Sequence, residues 1–201
     1  VNATGTLNVL EAARESGAHV IFSSSSSVYG RNMQLPKEEK MWLGPMTPYA
    51  ASKLSAEGYV EAYGSSFELP VTILRFFNVF GPRQRPDHEY AAVIPKFVMQ
   101  LMKHESPVIN GDGNFSRDFT YIDNVIQMNH LAATTENKDA IGEVFNTAVG
   151  ERANLLEMTT LLKKYLSEYK QEISKVEIIH GPERLGDIPH SHASIDKAKK
   201  I

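Results

Sequence analysis

Between residues 3 and 17 the apolar positions recur at helical spacing, with Val9, Leu10 and Ala13 as a stripe. Gly17-Ala18 separates this helix from a short apolar run at 19–24, which has strand length and ends without warning in hydroxyls, Ser23 to Ser27, before Val28-Tyr29-Gly30. Thr47-Pro48 reads as an N-cap with proline at the first helical position, opening a helix to about Tyr63, and the β-rich run Val71–Phe77 follows as a strand. After a polar loop, GPRQRPDHEY, the pattern gives a helix over Ala91–Lys103, bent or started at Pro95, and a short strand at Val108–Ile109. A strand near Phe119–Tyr121, a helix opened by Asp123 and a strand at Val144–Asn146 come next. Asn154 caps an amphipathic helix reaching about Tyr169, with Leu155, Met158, Leu162 and Leu166 as its core stripe. Val176–Ile179 reads as a strand, and Ile195–Ile201 begins another helix. Strands alternating with helices make an α/β protein, whose ligands gather beyond the carboxyl ends of the strands.

Composition narrows the picture. The chain has 201 residues, 42% hydrophobic and 22% charged, enough for a sizeable core. A net charge of −3 leaves no electrostatic footprint for nucleic acid, and Lys197–Lys200 reads as a solvated face. Without cysteine there is no disulfide frame, no thiolate nucleophile and no thiolate metal site. No apolar segment approaches the roughly 20 residues that span a bilayer, so no membrane partner is expected and cytoplasm is the default. Val1 opens directly into a helix and the far end stops within one, which reads as a piece of a longer protein.

The serine run is the first candidate for chemistry. Small polar residues usually make a flexible linker, but this run sits at a strand end between apolar flanks, where an α/β sheet binds its ligand. Tyr49 and Lys53, in PYAASK, lie one turn apart on one helix face. A free tyrosine, with a pKa of about 10, is a poor base at neutral pH; a neighbouring ammonium favours its phenolate, and a serine hydroxyl can bridge phenol and substrate. Base, tuner and hydroxyl suit removal of a proton from an alcohol. His180, His190 and His192 lack metal-ligand spacing, so no metal is expected. Asn110-Gly111-Asp112-Gly113 lacks the Lys-Ser/Thr of a P-loop and reads as a tight turn.

The motifs NATGTLNVLEAA, FSSSSSVYG, PYAASK, LRFFNVFGPRQ, INGDG, SRDFTYIDN and ERLGD follow one another along almost the whole chain. In that order they resemble the extended short-chain dehydrogenases/reductases that act on nucleotide sugars, and YAAVIPKF with RDFTYIDN looks closest to bacterial UDP-N-acetylglucosamine 4-epimerases of surface-polysaccharide pathways. The resemblance implies a Rossmann-like doubly wound parallel sheet, its N-terminal glycine-rich part missing, with a smaller α/β substrate domain. Residues 1–82 and 118–150 would form a partial NAD-binding domain, interleaved with a sugar-nucleotide domain from 83–117 and 151–201.

It also implies roles. Tyr49 would be the base, Lys53 would hold the nicotinamide ribose and tune Tyr49, and Ser25 would contact the reacting hydroxyl. Ser23 and Phe77 would face the NAD cofactor, while Ser26 and Ser27 would line the sugar pocket. Asn78, Arg117, Arg184 and, less centrally, Arg152 would meet the phosphates of a UDP-sugar; Asp187 would contact uridine ribose or fix Arg184, and Ser191 would leave room beside the sugar's C2. In sugar-nucleotide 4,6-dehydratases the positions matching Ser26 and Ser27 carry an Asp-Glu pair, and uronate decarboxylases usually carry glutamate at the position of Ser27, so the resemblance favours plain 4-epimerisation. UDP-glucose or UDP-uronic acid remain alternative substrates. A non-catalytic dinucleotide sensor is a further alternative, although such proteins generally lose the Tyr/Lys pair. The apolar helices 3–17 and 48–63 suit a homodimer.

Overall fold

The computed structural model describes residues 1–86, 92–183 and 188–201. Helix α1 (Asn2–Ser16) leads into β1 (Val20–Ser25), α2 (Pro48–Phe67), β2 (Val71–Phe76) and β3 (Val79–Phe80). Then come α3 (Val93–Met102), β4 (Val108–Asn110), β5 (Ser116–Arg117), β6 (Thr120–Tyr121), α4 (Ile122–Thr134) and β7 (Val144–Thr147). The chain closes with β8 (Ala153–Asn154), α5 (Leu155–Ser167), β9 (Ile179–Gly181) and α6 (Asp196–Lys200). Residues 87–91, which include part of the expected polar loop and the start of the expected 91–103 helix, lie outside the described residues.

β1, β2 and β7 form a parallel sheet in that order, with Val20 opposite Val71 and Ile73 opposite Val144. On one face Val71 and Ile73 pack with Leu10 and Ala13 of α1 and with Val60 and Tyr63 of α2; on the other, Leu74 and Phe145 pack with Ala132 of α4 and Ala198 of α6. A parallel sheet covered on both faces is the doubly wound, Rossmann-like arrangement. Away from it, β4 pairs in parallel with β9, β5 pairs antiparallel with β8, and α3 and α5 pack through Phe97, Ile109 and Met158. Among the described residues no helix is long and apolar enough to cross a membrane.

Local signals explain most boundaries. The Thr47 hydroxyl accepts the Ala50 N–H with Pro48 as first helical residue, and Asn154 and Glu157 close a reciprocal capping box on α5. α1 stops at Gly17, whose φ of 68° suits a residue without Cβ.

Three expectations need correction. α2 continues past Tyr63 to Phe67: Tyr63 and Phe67 rings pack with centroids 5.0 Å apart, and Gly64 is tolerated because a Cβ there would press the Val71 side chain at 2.9 Å. Val9 does not join the buried stripe, since it is 58% exposed on the flank of α1 while Leu10 and Ala13 go inward. The strand expected at Val176–Ile179 begins only at Ile179, because Val176 is used in an apolar cluster with Leu101 and Ile173 beside a 3₁₀ turn over Gln171–Lys175.

Candidate active site

The serine run is an ordered strand end. Ser25 is extended and caps a 3₁₀ turn over Ser26–Tyr29, its Oγ accepting from the Ser27 N–H at 3.2 Å and the Ser27 hydroxyl at 2.9 Å. The turn closes at Gly30, with φ 46°, where a Cβ would lie 1.8 Å from the Gly44 carbonyl oxygen; no other residue fits the end of Val-Tyr-Gly. Ser24 points the opposite way, is buried, and donates to the Glu57 carboxylate.

The first turns of α2 face this strand end. Tyr49 is 52% exposed. Lys53, one turn later, donates from Nζ to the Ser23 carbonyl at 2.8 Å and crosses the Phe22 ring at 5.2 Å. Burial pushes the Lys53 ammonium below the ordinary lysine range, and the Glu57 carboxylate partly offsets this.

Beyond β2, Phe77 is wholly buried against Val28, Tyr29 and Ala193. Asn78 takes a φ of 30°, a region that costs a side-chain-bearing residue about 1–3 kcal/mol. It is held there from both ends: its Nδ2 donates to the Asp118 carbonyl at 3.0 Å and its own carbonyl accepts the Thr120 N–H at 3.2 Å. Arg117 donates from Nη1 to the Ser116 and Pro189 carbonyls at 2.9 and 3.1 Å, and the Ser191 N–H donates to the Ser116 carbonyl at 2.9 Å.

These segments line a cavity of about 520 Å³, whose lining includes Ser25, Ser26, Ser27, Tyr49, Phe77, Asn78, Arg117 and Ser191. A second cavity of about 310 Å³, bounded by α3, β4 and Phe119, shares Asn78 and Arg117 with the first. Lys53 and Ser23 stand beside the first cavity and do not line it. Arg152 is exposed and lines neither. Arg184 and Asp187 lie outside the described residues. Each of the three histidines bonds a group far along the chain: His180 Nδ1 with the Gly111 carbonyl, His190 Nδ1 with the Ser116 hydroxyl and His192 Nε2 with the Gly150 carbonyl. Gly111 and Gly113 both take positive φ in a turn that Asp112 braces by accepting from the Asn114 N–H at 2.9 Å.

Among the residues at or beside the first cavity that the sequence did not single out, Lys37 and Asp118 carry charge. Lys37 lines the cavity, buried, with its ammonium donating to the carbonyls of Asn32 and Gln34; nothing in a proline-bearing polar loop marks such a lysine. Asp118 is buried, and its carboxylate accepts the N–H groups of Val149 at 3.0 Å, Gly150 at 3.1 Å and Ala193 at 3.3 Å. Burial pushes its carboxyl above the usual carboxylate range, against the pull of those three donors. An acidic residue between Arg117 and Phe119 was the available signal. Asp118→Asn would turn an amide NH₂ toward at least one of these donors, and leaving a buried donor unpaired costs about 1–3 kcal/mol. The urea midpoint should fall accordingly, with the m-value unchanged; an unaltered midpoint would show that the three bonds carry no net stability.

The family model described as "NAD dependent epimerase/dehydratase family" matches residues 1–148. Among solved structures, a UDP-N-acetylglucosamine 4-epimerase from Methanobrevibacter ruminantium in complex with UDP-N-acetylmuramic acid is similar at 38% identity and a TM-score of 0.91, over 99% of this chain and 61% of that one. A UDP-glucuronic acid 4-epimerase from Bacillus cereus in complex with UDP-glucuronic acid and NAD is similar at 33% identity and a TM-score of 0.84, over 99% and 60%. A UDP-glucose 4-epimerase of Mycolicibacterium smegmatis is 31% identical over 203 aligned residues, 100% of this chain and 62% of the relative. The chain thus spans about three-fifths of the length of these relatives.

Proposed function

Because the chain belongs to the NAD-dependent epimerase/dehydratase family, we propose that it carries the catalytic centre of a sugar-nucleotide 4-epimerase that uses NAD and acts on a UDP-N-acetylhexosamine. The observation that carries this reading is the single cavity that Tyr49, Ser25, Ser26 and Ser27 line together with Asn78 and Arg117. A phenol and hydroxyls suit a reacting alcohol; a guanidinium at the junction of two cavities suits a diphosphate linking sugar to nucleoside.

In this reading Tyr49 takes the proton of the C4 hydroxyl and returns it after the sugar has turned. The Ser25 oxygen already accepts from the Ser27 N–H and hydroxyl, so its own hydrogen is left to donate to the C4 oxygen as that oxygen gains carbonyl character. NAD, when bound, accepts the hydride from C4 and gives it back. The residues fit its nicotinamide ribose: Lys53 spends one of three N–H donors on the Ser23 carbonyl and keeps two beside the exposed Tyr49. Serine at 26 and 27 supplies no acid to expel the C6 hydroxyl, which separates this chemistry from dehydration. Surface-polysaccharide supply, a cytoplasmic setting and a homodimer through α1 and α2 complete the proposal; Val9 and Tyr59 stand exposed on those helices.

The acetylated substrate rests on Ser191, which is small where it lines the cavity. Overfilling a packed wall costs about 1–3 kcal/mol, roughly ten- to a hundredfold. In the full-length enzyme Ser191→Tyr should therefore lower kcat/KM for UDP-N-acetylglucosamine by that factor and spare UDP-glucose. Equal loss on both would remove the acetamido assignment. Lys37, a buried lysine among the residues that line the same cavity, favours a second reading, a UDP-uronic acid, because a cation near the sugar attracts a carboxylate. UDP-glucuronic acid as the best wild-type substrate in that assay would establish it.

A further inference from the structure

The α2-facing side of the β1–β2 pair changes character at its last rung. The register sets Val20 opposite Val71 and Phe22 opposite Ile73, and all four pack toward α1 and α2. The next pair on the same face is Ser24 opposite Arg75, both buried. Glu57 of α2 meets this rung with a side chain only 1% exposed. It accepts from Arg75 Nη2 at 2.7 Å and from Nε at 3.1 Å, and also takes the Ser24 hydroxyl. Arg75 Nη1 goes on to the Tyr29 hydroxyl at 3.1 Å and the Glu39 carbonyl at 3.0 Å, and Tyr29 donates to Asn146 Oδ1 at 2.7 Å.

Glu57 also continues the spacing of Tyr49 and Lys53, one further turn along the same helix face. Its partner Ser24 sits between Ser23, whose carbonyl takes Lys53 Nζ, and Ser25, whose hydroxyl caps the turn on the cavity wall. Arg75 in turn holds Tyr29, the residue that ends this turn before Gly30. The ion pair therefore grips the serine turn at both ends and fixes it against the helix that carries Tyr49 and Lys53.

Resting on the epimerase reading above, we propose that Glu57 and Arg75 are positioning residues, which set the Ser25 hydroxyl and the Ser23 carbonyl relative to Tyr49 and Lys53 through Ser24 and Tyr29. A buried ion pair often adds little stability over an apolar pair of similar volume, and fixing one arrangement is the role such pairs serve best.

The mildest test is Ser24→Ala in the full-length enzyme, which cuts the tie to β1 and leaves the ion pair. Turnover should fall about tenfold with KM for the UDP-sugar within about twofold, a change of roughly 1.4 kcal/mol confined to the reaction step. Amide hydrogen exchange gives a reading independent of turnover. Ser27 N–H, held by Ser25 Oγ, and Gly30 N–H, held by the Ser27 carbonyl, should exchange at least about tenfold faster, while Ala56 and Val60 inside α2 keep their protection.

A companion variant, Glu57→Met with Arg75→Met, removes both charges without leaving either buried alone. Its Tm should return close to the wild-type value with turnover still at least about tenfold down; turnover recovering together with Tm would make the pair a packing element and overturn the proposal. Unchanged turnover and unchanged local exchange in Ser24→Ala would do the same. Should the wild-type enzyme epimerise no UDP-hexose, the functional reading fails, and the exchange comparison alone still decides whether this network holds the turn.

Discussion

Tyr49→Phe in the full-length enzyme is expected to lower kcat by about 10²–10⁴-fold, the usual worth of a positioned general base, while binding of the UDP-sugar changes little. The contrast follows from where Tyr49 stands. It is half-exposed at the first turn of α2, lines the cavity beside the serine turn, and is not part of the buried clusters that hold the fold. Loss of its hydroxyl therefore removes a proton acceptor and little else. Single-turnover transfer of hydride to bound NAD, followed by absorbance, separates this step from substrate binding measured by calorimetry. Retention of more than about a tenth of wild-type turnover would transfer the role of base to another group.

Arg75→Met is expected to destabilise the protein by about 3–5 kcal/mol, because it strands the Glu57 carboxylate, buried and unpaired. Both side chains are almost wholly buried, at 3% and 1% exposure, so solvent screening does little to soften the loss. Burial works against the charge of Arg75, and the Glu57 carboxylate more than offsets it, holding the guanidinium above its ordinary range. The urea midpoint of the single variant measures the cost. A loss below about 1 kcal/mol would mean that water or another cation reaches Glu57.

The sheet was legible because its signals are local. Thr47-Pro48, Asn154 with Glu157 and Gly17 mark helix ends by their own chemistry, and the apolar runs at 19–24 and 71–77 have the length and residue types of buried strands. The candidate site was legible where a motif carries its own geometry. Tyr49 and the serine turn line one cavity with Asn78 and Arg117, which stand about 30 to 90 residues further along the chain. What stayed hidden depends on partners distant in sequence. Arg75 reads as one polar letter in a strand, and only the register with Ser24 and the approach of Glu57 show why a cation is tolerated there. Lys37 and Asp118 are similar, since their partners are backbone groups, which have no letter in the sequence. Val176 went the other way: a β-branched residue drawn into a cluster with Leu101 and Ile173 instead of a strand.

The three bonds to the Asp118 carboxylate also bear on the order in which the protein assembles. They span 31, 32 and 75 residues, whereas a helical turn closes over four. Loop-closure entropy rises with span, so a folding chain gains these bonds only after α4, β7 and the following segment have already been drawn in. Until then the carboxylate stays hydrated. The contacts that tie Asp118 to Val149, Gly150 and Ala193 are thus expected late in folding, and the stability lost in Asp118→Asn should appear in the unfolding arm of a chevron plot. A matching change in the refolding arm would instead make this corner part of the nucleus.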